Sequence, residues 1–350
     1  MPKMSAPLNI GVIGLGFGSR VHVPVFRRDR RCTVVAICGR STEKAGRLAH
    51  QLSIKSSYGD WRSIVNDREI DAISVAVPPT EQPAIAQAAI EAGKHVFCEK
   101  PLAANASQAA SLFEAARRNR VVHAVNFILP ELPLWIKARE LIQANKLGQI
   151  RHVTLDWHLE TYASKTKAKS WKNDPNQGGG VLNNLVSHAV HNVEWFFGKA
   201  KGVSAALRGP RDSAETCVQA TIDTQAGFPV FLSVSSDSFL GNGHRWTLYG
   251  ETGTMVLENR TADYASGFEL SLGTRPEGPF RVIERDKPEP GVDGRLAPVA
   301  RLASRFLDSI VDNVPMRPNF GDGLRAQVIL DEIRASNQIS RPIGDSTRPQ

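Results

Sequence analysis

The chain has 350 residues, 41% hydrophobic and 22% charged, an ordinary soluble composition with length for about two hydrophobic cores. Forty-three Lys and Arg against 35 Asp and Glu give a formal charge of +8 without dense basic runs, which disfavours a nucleic-acid binder and favours anionic small molecules. No segment approaches the roughly 18 consecutive apolar residues of a membrane span.

The N-terminus enters a strand pattern with no apolar signal core before it. Cys32, Cys38, Cys98 and Cys217 lie scattered, without metal-ligand spacing or a disulfide frame. A reducing, cytoplasmic location is therefore expected. Residues 8 to 125 alternate apolar runs, "NIGVIG", "TVVAICG", "DAISVAV", "KHVFCE" and "VVHAV", with the helical patterns "STEKAGRLAHQL", "TEQPAIAQAAIEAG" and "NASQAASLFEAARRN". Continuous apolar strands imply burial on both faces, hence a doubly wound parallel sheet with helices either side. From about residue 150 the strands "RHVTLDWHLE", "CVQATIDT", "PVFLSVSSDS", "HRWTLYG" and "TMVLEN" follow one another with short turns, as in an antiparallel sheet. Helical patterns at 131–146, 181–197, 297–313 and 321–338 supply its cover. The expected architecture is an α/β Rossmann domain, 1–127, followed by an α+β domain, 128–345, with a large, open, mainly antiparallel sheet. The helix over 321–338 is free to pack back on the first domain.

"NIGVIGLGFGSRVHVPVF" reads as strand, glycine-rich turn and helix start. Gly14 permits the tight turn, and Gly16 lets the backbone approach a pyrophosphate at the positive end of a helix. Phe17, Gly18 and Ser19 complete the loop, with Ser19 where the fingerprint usually has glycine. The second strand ends in Gly39, Arg40 and Ser41 instead of the acidic residue that suits ribose hydroxyls. An arginine fork there suits a 2′-phosphate, so NADP is favoured over NAD. Val77 and Pro78, after the next strand, are expected against the same cofactor.

"AGKHVFCEKPLA" places Glu99, Lys100 and Pro101 just beyond a strand's C-terminal end, where open α/β sheets bind ligands. Together with "GLGFGSRVH", "GGGVLNNLVSH", "YGETGTMVL" and "GDGLRAQVILDEI", this strongly resembles the glucose-fructose oxidoreductase / inositol dehydrogenase / rhizopine catabolism (Gfo/Idh/MocA) family over about residues 8–345. The resemblance implies hydride transfer between nicotinamide and a sugar or polyol carbon, and a homodimer or homotetramer formed through the C-terminal sheet. It assigns Lys100 to the reacting oxygen and its proton.

In "NNLVSHAVHN", residues 183–192, helical phase gathers Leu182, Val186, Val190, Val193 and Phe197 within about 80°, a core face. Asn184, His188, His191 and Trp195 form a stripe on the opposite side, expected to face water or a cleft. The family pattern Gly-Gly-Gly, then Asp-x-x-x-His-x-x-Asp, aligns on Gly178 to Gly180, Asn184, His188 and His191. The histidine implied as acid/base, His188, is kept, whereas both carboxylates are absent. Asparagine gives an imidazolium no charge stabilisation, so His188 should titrate lower than beside an aspartate, while staying near the reference of about 6.5. His188 and His191 lack a third ligand on their face, so no metal is expected.

Asn126, Trp171, Lys172, Asn184 and His191 are the substrate-binding candidates, Trp171 as a stacking surface for a sugar ring. Gln82 stands where the family often has histidine. Four lysines in "SKTKAKSWK", residues 164–172, hint at an acidic or phosphorylated substrate. The expected activity is an NADP-dependent oxidoreductase acting on a carbohydrate-like alcohol or ketone. A silent, cofactor-binding sugar sensor is the main rival, favoured by the missing carboxylates and opposed by Lys100 and His188. An NAD-dependent glycoside hydrolase is a third reading.

Overall fold

The computed structural model describes residues 6–166, 168, 170–210, 213–276 and 278–337. Two of the four lysines in 164–172, Lys167 and Lys169, and the end of the chain from 338 lie outside these residues.

The apolar runs of the first half pair side by side because both their faces are hydrophobic. In chain order the elements are β1 (Leu8–Ile13), α1 (Val23–Phe26), β2 (Cys32–Cys38), α2 (Thr42–Gln51), β3 (Ser56–Tyr58), α3 (Trp61–Val65), β4 (Ala72–Val75), α4 (Gln82–Glu91), β5 (His95–Cys98), α5 (Ala106–Asn119) and β6 (His123–Val125). The strands form one parallel sheet in the order β3-β2-β1-β4-β5-β6. The order reverses between β1 and β4, the switch point where such sheets open a crevice beyond their carboxyl ends.

The second half comprises α6 (Pro133–Gln143), β7 (Ile150–His158), α7 (Tyr162–Thr166), α8 (Ser187–Phe197), β8 (Ala200–Arg208), β9 (Cys217–Thr224), β10 (Pro229–Ser235), β11 (Gly243–Gly250), β12 (Gly253–Asn259), β13 (Glu269–Thr274), β14 (Gly278–Arg285), α9 (Leu296–Val311) and α10 (Phe320–Ala335). Its eight strands run in the order β14-β13-β12-β11-β7-β10-β9-β8. All neighbours are antiparallel except β7 and β10, which are parallel. A parallel α/β domain followed by a mainly antiparallel open sheet is the architecture the patterning predicts.

The last two helices tie the halves together. Val299, Leu302, Phe306 and Leu307 of α9 join the core formed by β1, β2 and Phe97, where Phe97 and Phe306 meet edge-on at 5.6 Å. Helix α10, opened by a capping box on Asn319 and Asp322, packs between α5 and α8. On one side Asp331 accepts from the Ala106 amide at 2.6 Å; on the other Arg325 pairs with Glu194 at 2.5 Å. Helix α8 is thereby enclosed, and every residue from Ser187 to Val193 is buried. The core face is as projected, and the polar stripe divides: Asn184 and His188 face the space between the two sheets, whereas His191 packs on Phe127 and Trp195 is half-buried beneath Arg139. A π-helical turn over Leu182–Val186 precedes α8 and breaks the regular phase on which the stripe was projected.

Candidate active site

Between the two sheets lies a cleft of about 2220 Å³, lined from the β1 turn, the ends of β2, β4 and β5, and facing parts of the second domain. Its floor begins where β1 turns. Gly14 has φ of 123°, and a Cβ there would sit 2.2 Å from the Ala76 carbonyl oxygen, so a side chain is excluded by conformation and by space. A Cβ at Gly16 would meet nothing within 4 Å; its backbone is open to the cleft, as close approach of a pyrophosphate requires. The residues present therefore fit a dinucleotide. Phe17 lines the cleft and carries the Arg295 guanidinium 5.1 Å from its ring centre.

Gly18 and Ser19, expected against the cofactor, do not line the cleft. A Cβ on Gly18 would lie 3.1 Å from Val12 Cγ1, and the buried Ser19 hydroxyl donates to the Leu15 carbonyl at 2.8 Å. They hold the turn from behind.

At the far end Gly39, Arg40 and Ser41 line the cleft opposite Val77 and Pro78. Ser41 caps α2, accepting from the Lys44 amide at 3.2 Å. The Arg40 side chain is 87% exposed and 3.6 Å from Glu81, a loose pairing that leaves its fork available. Lys44 and Arg62 share that wall. The acid nearby, Asp60, caps α3 through the Arg62 amide at 3.2 Å.

The catalytic end is built on the segment after β5. Gln82, buried in α4, donates through its amide to the carbonyls of Glu99, Pro101 and Leu102 at 2.7, 3.0 and 3.1 Å. That triple contact pins the backbone carrying Lys100. The Lys100 ammonium donates to the Asn184 carbonyl at 2.7 Å, across the domain boundary. Burial, then the nearby Lys172 charge, lowers Lys100 to about 7, although Glu99 pulls the other way. An amine titrating near neutrality is suited to exchange a proton with a reacting oxygen.

Behind it, Glu99 Oε1 accepts from Asn126 Nδ2 at 2.5 Å and lies 2.9 Å from His22 Nε2, whose Nδ1 meets Ser74 Oγ at 2.7 Å. Burial alone would raise the Glu99 carboxyl, but the hydrogen bond and charge of His22, with Asn126 and Lys100, bring it below its ordinary value.

Trp171 and Lys172, in a single 3-10 turn, line the same end with Asn184 and His188. Lys172, whose side chain stays exposed at the mouth, is depressed below an ordinary lysine by the desolvation of the surrounding cleft wall and by Arg295 and Arg20, partly offset by Glu99. His188 lies among the rings of Phe127, Trp157 and Tyr264, with centroids 5.9–6.2 Å away. Burial, followed by the charges of Lys100 and its neighbours, holds it well below the usual histidine value. The expectation that it stays near its reference therefore fails. Desolvation and the nearby Lys100 charge keep the ring neutral, and Asn184 supplies no carboxylate to offset them.

Two substrate candidates are misplaced. His191 does not line the cleft; its ring stacks on Phe127 at 4.1 Å and 10°, and burial lowers it to about 3. Asn126 is also outside the lining, and its amide serves Glu99. Among the described residues no group of three His, Cys, Asp or Glu is placed to hold a metal ion. Sequence reasoning assigned no role to His22, although it closes the quoted "GFGSRVH". It also passed over Tyr264 and His244, which line the cleft without any local motif.

Family models agree with this layout. The one described as an oxidoreductase family with NAD-binding Rossmann fold matches residues 8–127, and the GFO/IDH/MocA C-terminal domain matches 135–256. An uncharacterized oxidoreductase of Synechocystis sp. is 30% identical over 353 residues, covering 95% of each chain. Levoglucosan dehydrogenase of Pseudarthrobacter phenanthrenivorans is 29% identical over 209 residues, 57% of this chain and 54% of that one. A solved levoglucosan dehydrogenase in complex with NADH superposes with a TM-score of 0.84 at 23% identity, covering 94% of this chain and 96% of that one, a likeness of fold. With this coverage, and with the lysine, histidine and glycine turn gathered in one cleft, the chain belongs to the Gfo/Idh/MocA family of NAD(P)-dependent oxidoreductases.

Proposed function

We propose that the protein is an NADP-dependent oxidoreductase that moves a hydride between nicotinamide and a carbohydrate-like alcohol or its ketone. The observation that carries this reading is the meeting, in one cleft, of an open Gly16 backbone and Lys100 from the first domain with His188 at the other domain's edge. When bound, nicotinamide supplies or accepts the hydride.

Lys100, fixed by Gln82 and Asn184, takes the proton of the hydroxyl undergoing oxidation, or returns it in reduction. His188, held neutral, orients that hydroxyl by hydrogen bonding. Proton exchange thus rests more on the lysine than on the histidine. Trp171 offers a stacking face to a sugar ring, and Lys172 and Asn184 bind its oxygens. Trp157, in contact with the same space, is a second apolar wall.

The NADP preference rests on Arg40, Lys44 and Arg62 around the cleft's far end, where a 2′-phosphate would sit and β2 offers no carboxylate. A homodimer or homotetramer through the exposed face of the eight-stranded sheet, in the cytoplasm, completes the proposal; the four unpaired thiols support that compartment. The missing carboxylates at 184 and 191 favour the silent sensor as a second reading.

A turnover screen decides. NADP and NAD are each offered with sugars, polyols, sugar phosphates and nucleotide sugars, and reduced cofactor is measured. Net reduction, larger with NADP, is expected. Tight binding of cofactor and sugar without turnover would leave the sensor, and glycoside cleavage without net redox change would indicate a hydrolase.

A further inference from the structure

The catalytic end is rich in cations. Lys100, Lys172, Arg20 and Arg295 line it, with the neutral His188 and Tyr264 between them and His244 behind His188. Of the acids in the same lining, Asp174 is held by Gln177 at 2.7 Å and the Asn176 amide at 2.9 Å, and Glu160 is exposed. Helix α8 and its preceding turn present Asn184, His188 and His191, none of them acidic. Glu99 is the carboxylate adjoining Lys100.

Glu99 is also a well-supported side chain of the floor. Asn126, from the end of β6, and His22, from the turn after β1, both converge on Oε1, and Ser74 of β4 backs His22. Two separate segments thus hold one oxygen directly and a third backs one of them, while Oε2 receives no hydrogen bond from the described residues. The Ser74 hydroxyl either donates to His22 Nδ1 or accepts from it, so His22 keeps its contact with Glu99 in both protonation states.

We propose that Glu99 is a positioning residue that sets the charge of Lys100, and that His22 acts through it by keeping the half-buried carboxylate ionised. This deepens the oxidoreductase reading and rests on it, but the charge of Lys100 is measurable without turnover. Glu99 raises the affinity of Lys100 for its proton, against burial and Lys172, which lower it. An opposite charge within about 4–6 Å moves a titration by about 1–3 pH units, and one farther off by less. Without Glu99 the lysine would carry its proton over a narrower, more acidic range and return one less readily near neutral pH. Without a donor at position 22, the half-buried carboxyl loses the largest of its supports, its hold on the ionised form loosens, and its effect on Lys100 weakens.

The test is competitive acetylation of Lys100 by acetic anhydride across pH, read by mass spectrometry on the full chain. In the wild type, labelling reaches half its limit near the Lys100 value of about 7. Glu99→Gln, isosteric and still able to accept from His22, should move that midpoint down by about one pH unit. His22→Leu should move it the same way, and His22→Gln, which keeps a donor toward Glu99, should leave it near the wild-type position. The acidic limb of kcat/KM for oxidation should shift in step. An unmoved midpoint in Glu99→Gln overturns the proposal, as does an equal shift in His22→Gln and His22→Leu. Failure of the oxidoreductase reading shows separately, as a wild type that labels as expected but never reduces cofactor.

Discussion

The two ends of the cleft use the same chemical groups in opposite ways. At the far end Arg40 stands 87% exposed with a loose partner at 3.6 Å, so its charge is screened and its contribution to any ligand is modest. At the catalytic end Lys100 is enclosed, held on the Asn184 carbonyl at 2.7 Å, and lowered to about 7 by burial and Lys172. A cation in water discriminates by contact; a cation out of water changes its own proton affinity. The first arrangement suits cofactor selection and the second suits proton transfer. Substitutions at the two ends should therefore differ in kind as well as in size.

The largest expected effect is at Lys100. Lys100→Met should lower kcat by about 10²- to 10⁴-fold, the usual worth of a general acid/base, with cofactor affinity retained in a fluorescence titration. Turnover within a few-fold of wild type would show that the enclosed lysine is not the proton carrier. In the wild type, kcat/KM for oxidation should rise with pH through about 7, as the Lys100 amine is freed; in reduction it should fall through the same region.

Next comes His191, buried beside the cleft but not in it. Its folded value of about 3 lies below the unfolded reference of about 6.5. The unfolded ring takes a proton as pH drops below about 6.5 while the folded ring stays neutral, so stability present above that pH is lost as pH falls toward 3. His191→Phe, which keeps a ring on Phe127, should reduce that loss by about 1.4 kcal/mol per pH unit, seen in urea midpoints at several pH values. The same variant should leave turnover near wild type; a large drop would return His191 to the substrate site.

Asn184→Asp tests the missing charge. A carboxylate placed beside Lys100 and His188 should raise both titrations, moving the kcat/KM limb up by about one pH unit. A limb that does not move would mean that the position 184 side chain is turned away from both. Smallest is Arg40→Ala: an exposed pairing is worth about 0.2–1 kcal/mol, so NADPH affinity should fall by up to about fivefold and NADH affinity should hardly change. Equal losses for the two cofactors would indicate stacking of Arg40 on adenine.

Legibility in the sequence divides along the same line. The exposed, backbone-built end was readable, because a glycine turn after a strand declares itself by spacing; Gly14 and Gly16 need no partner residue to be understood. The segment at 99–101 was readable as well, and so were α8 to α10 and most of the second sheet. Three strands of that sheet, β8, β13 and β14, were not. Every residue of β14 is exposed, so it carries no buried alternation to detect. At the enclosed end, the helical projection failed at His191 because three residues along a regular helix turn its ring about 60° away from His188, where Phe127, from a distant segment, takes it by stacking. Asn126 and His22 were missed or misassigned for a related reason. Their partners, Glu99 and Ser74, lie 27 to 77 residues away in sequence and meet them only through the sheet order.

The most direct measurement follows the hydride itself. A polyol or sugar that turns over in the screen is supplied with deuterium on its oxidised carbon, and the reduced cofactor is analysed by mass spectrometry and proton NMR. The account expects one deuterium at nicotinamide C4, with label transfer abolished in Lys100→Met. Reduced cofactor without label, or oxidised product formed without any reduced cofactor, would contradict it.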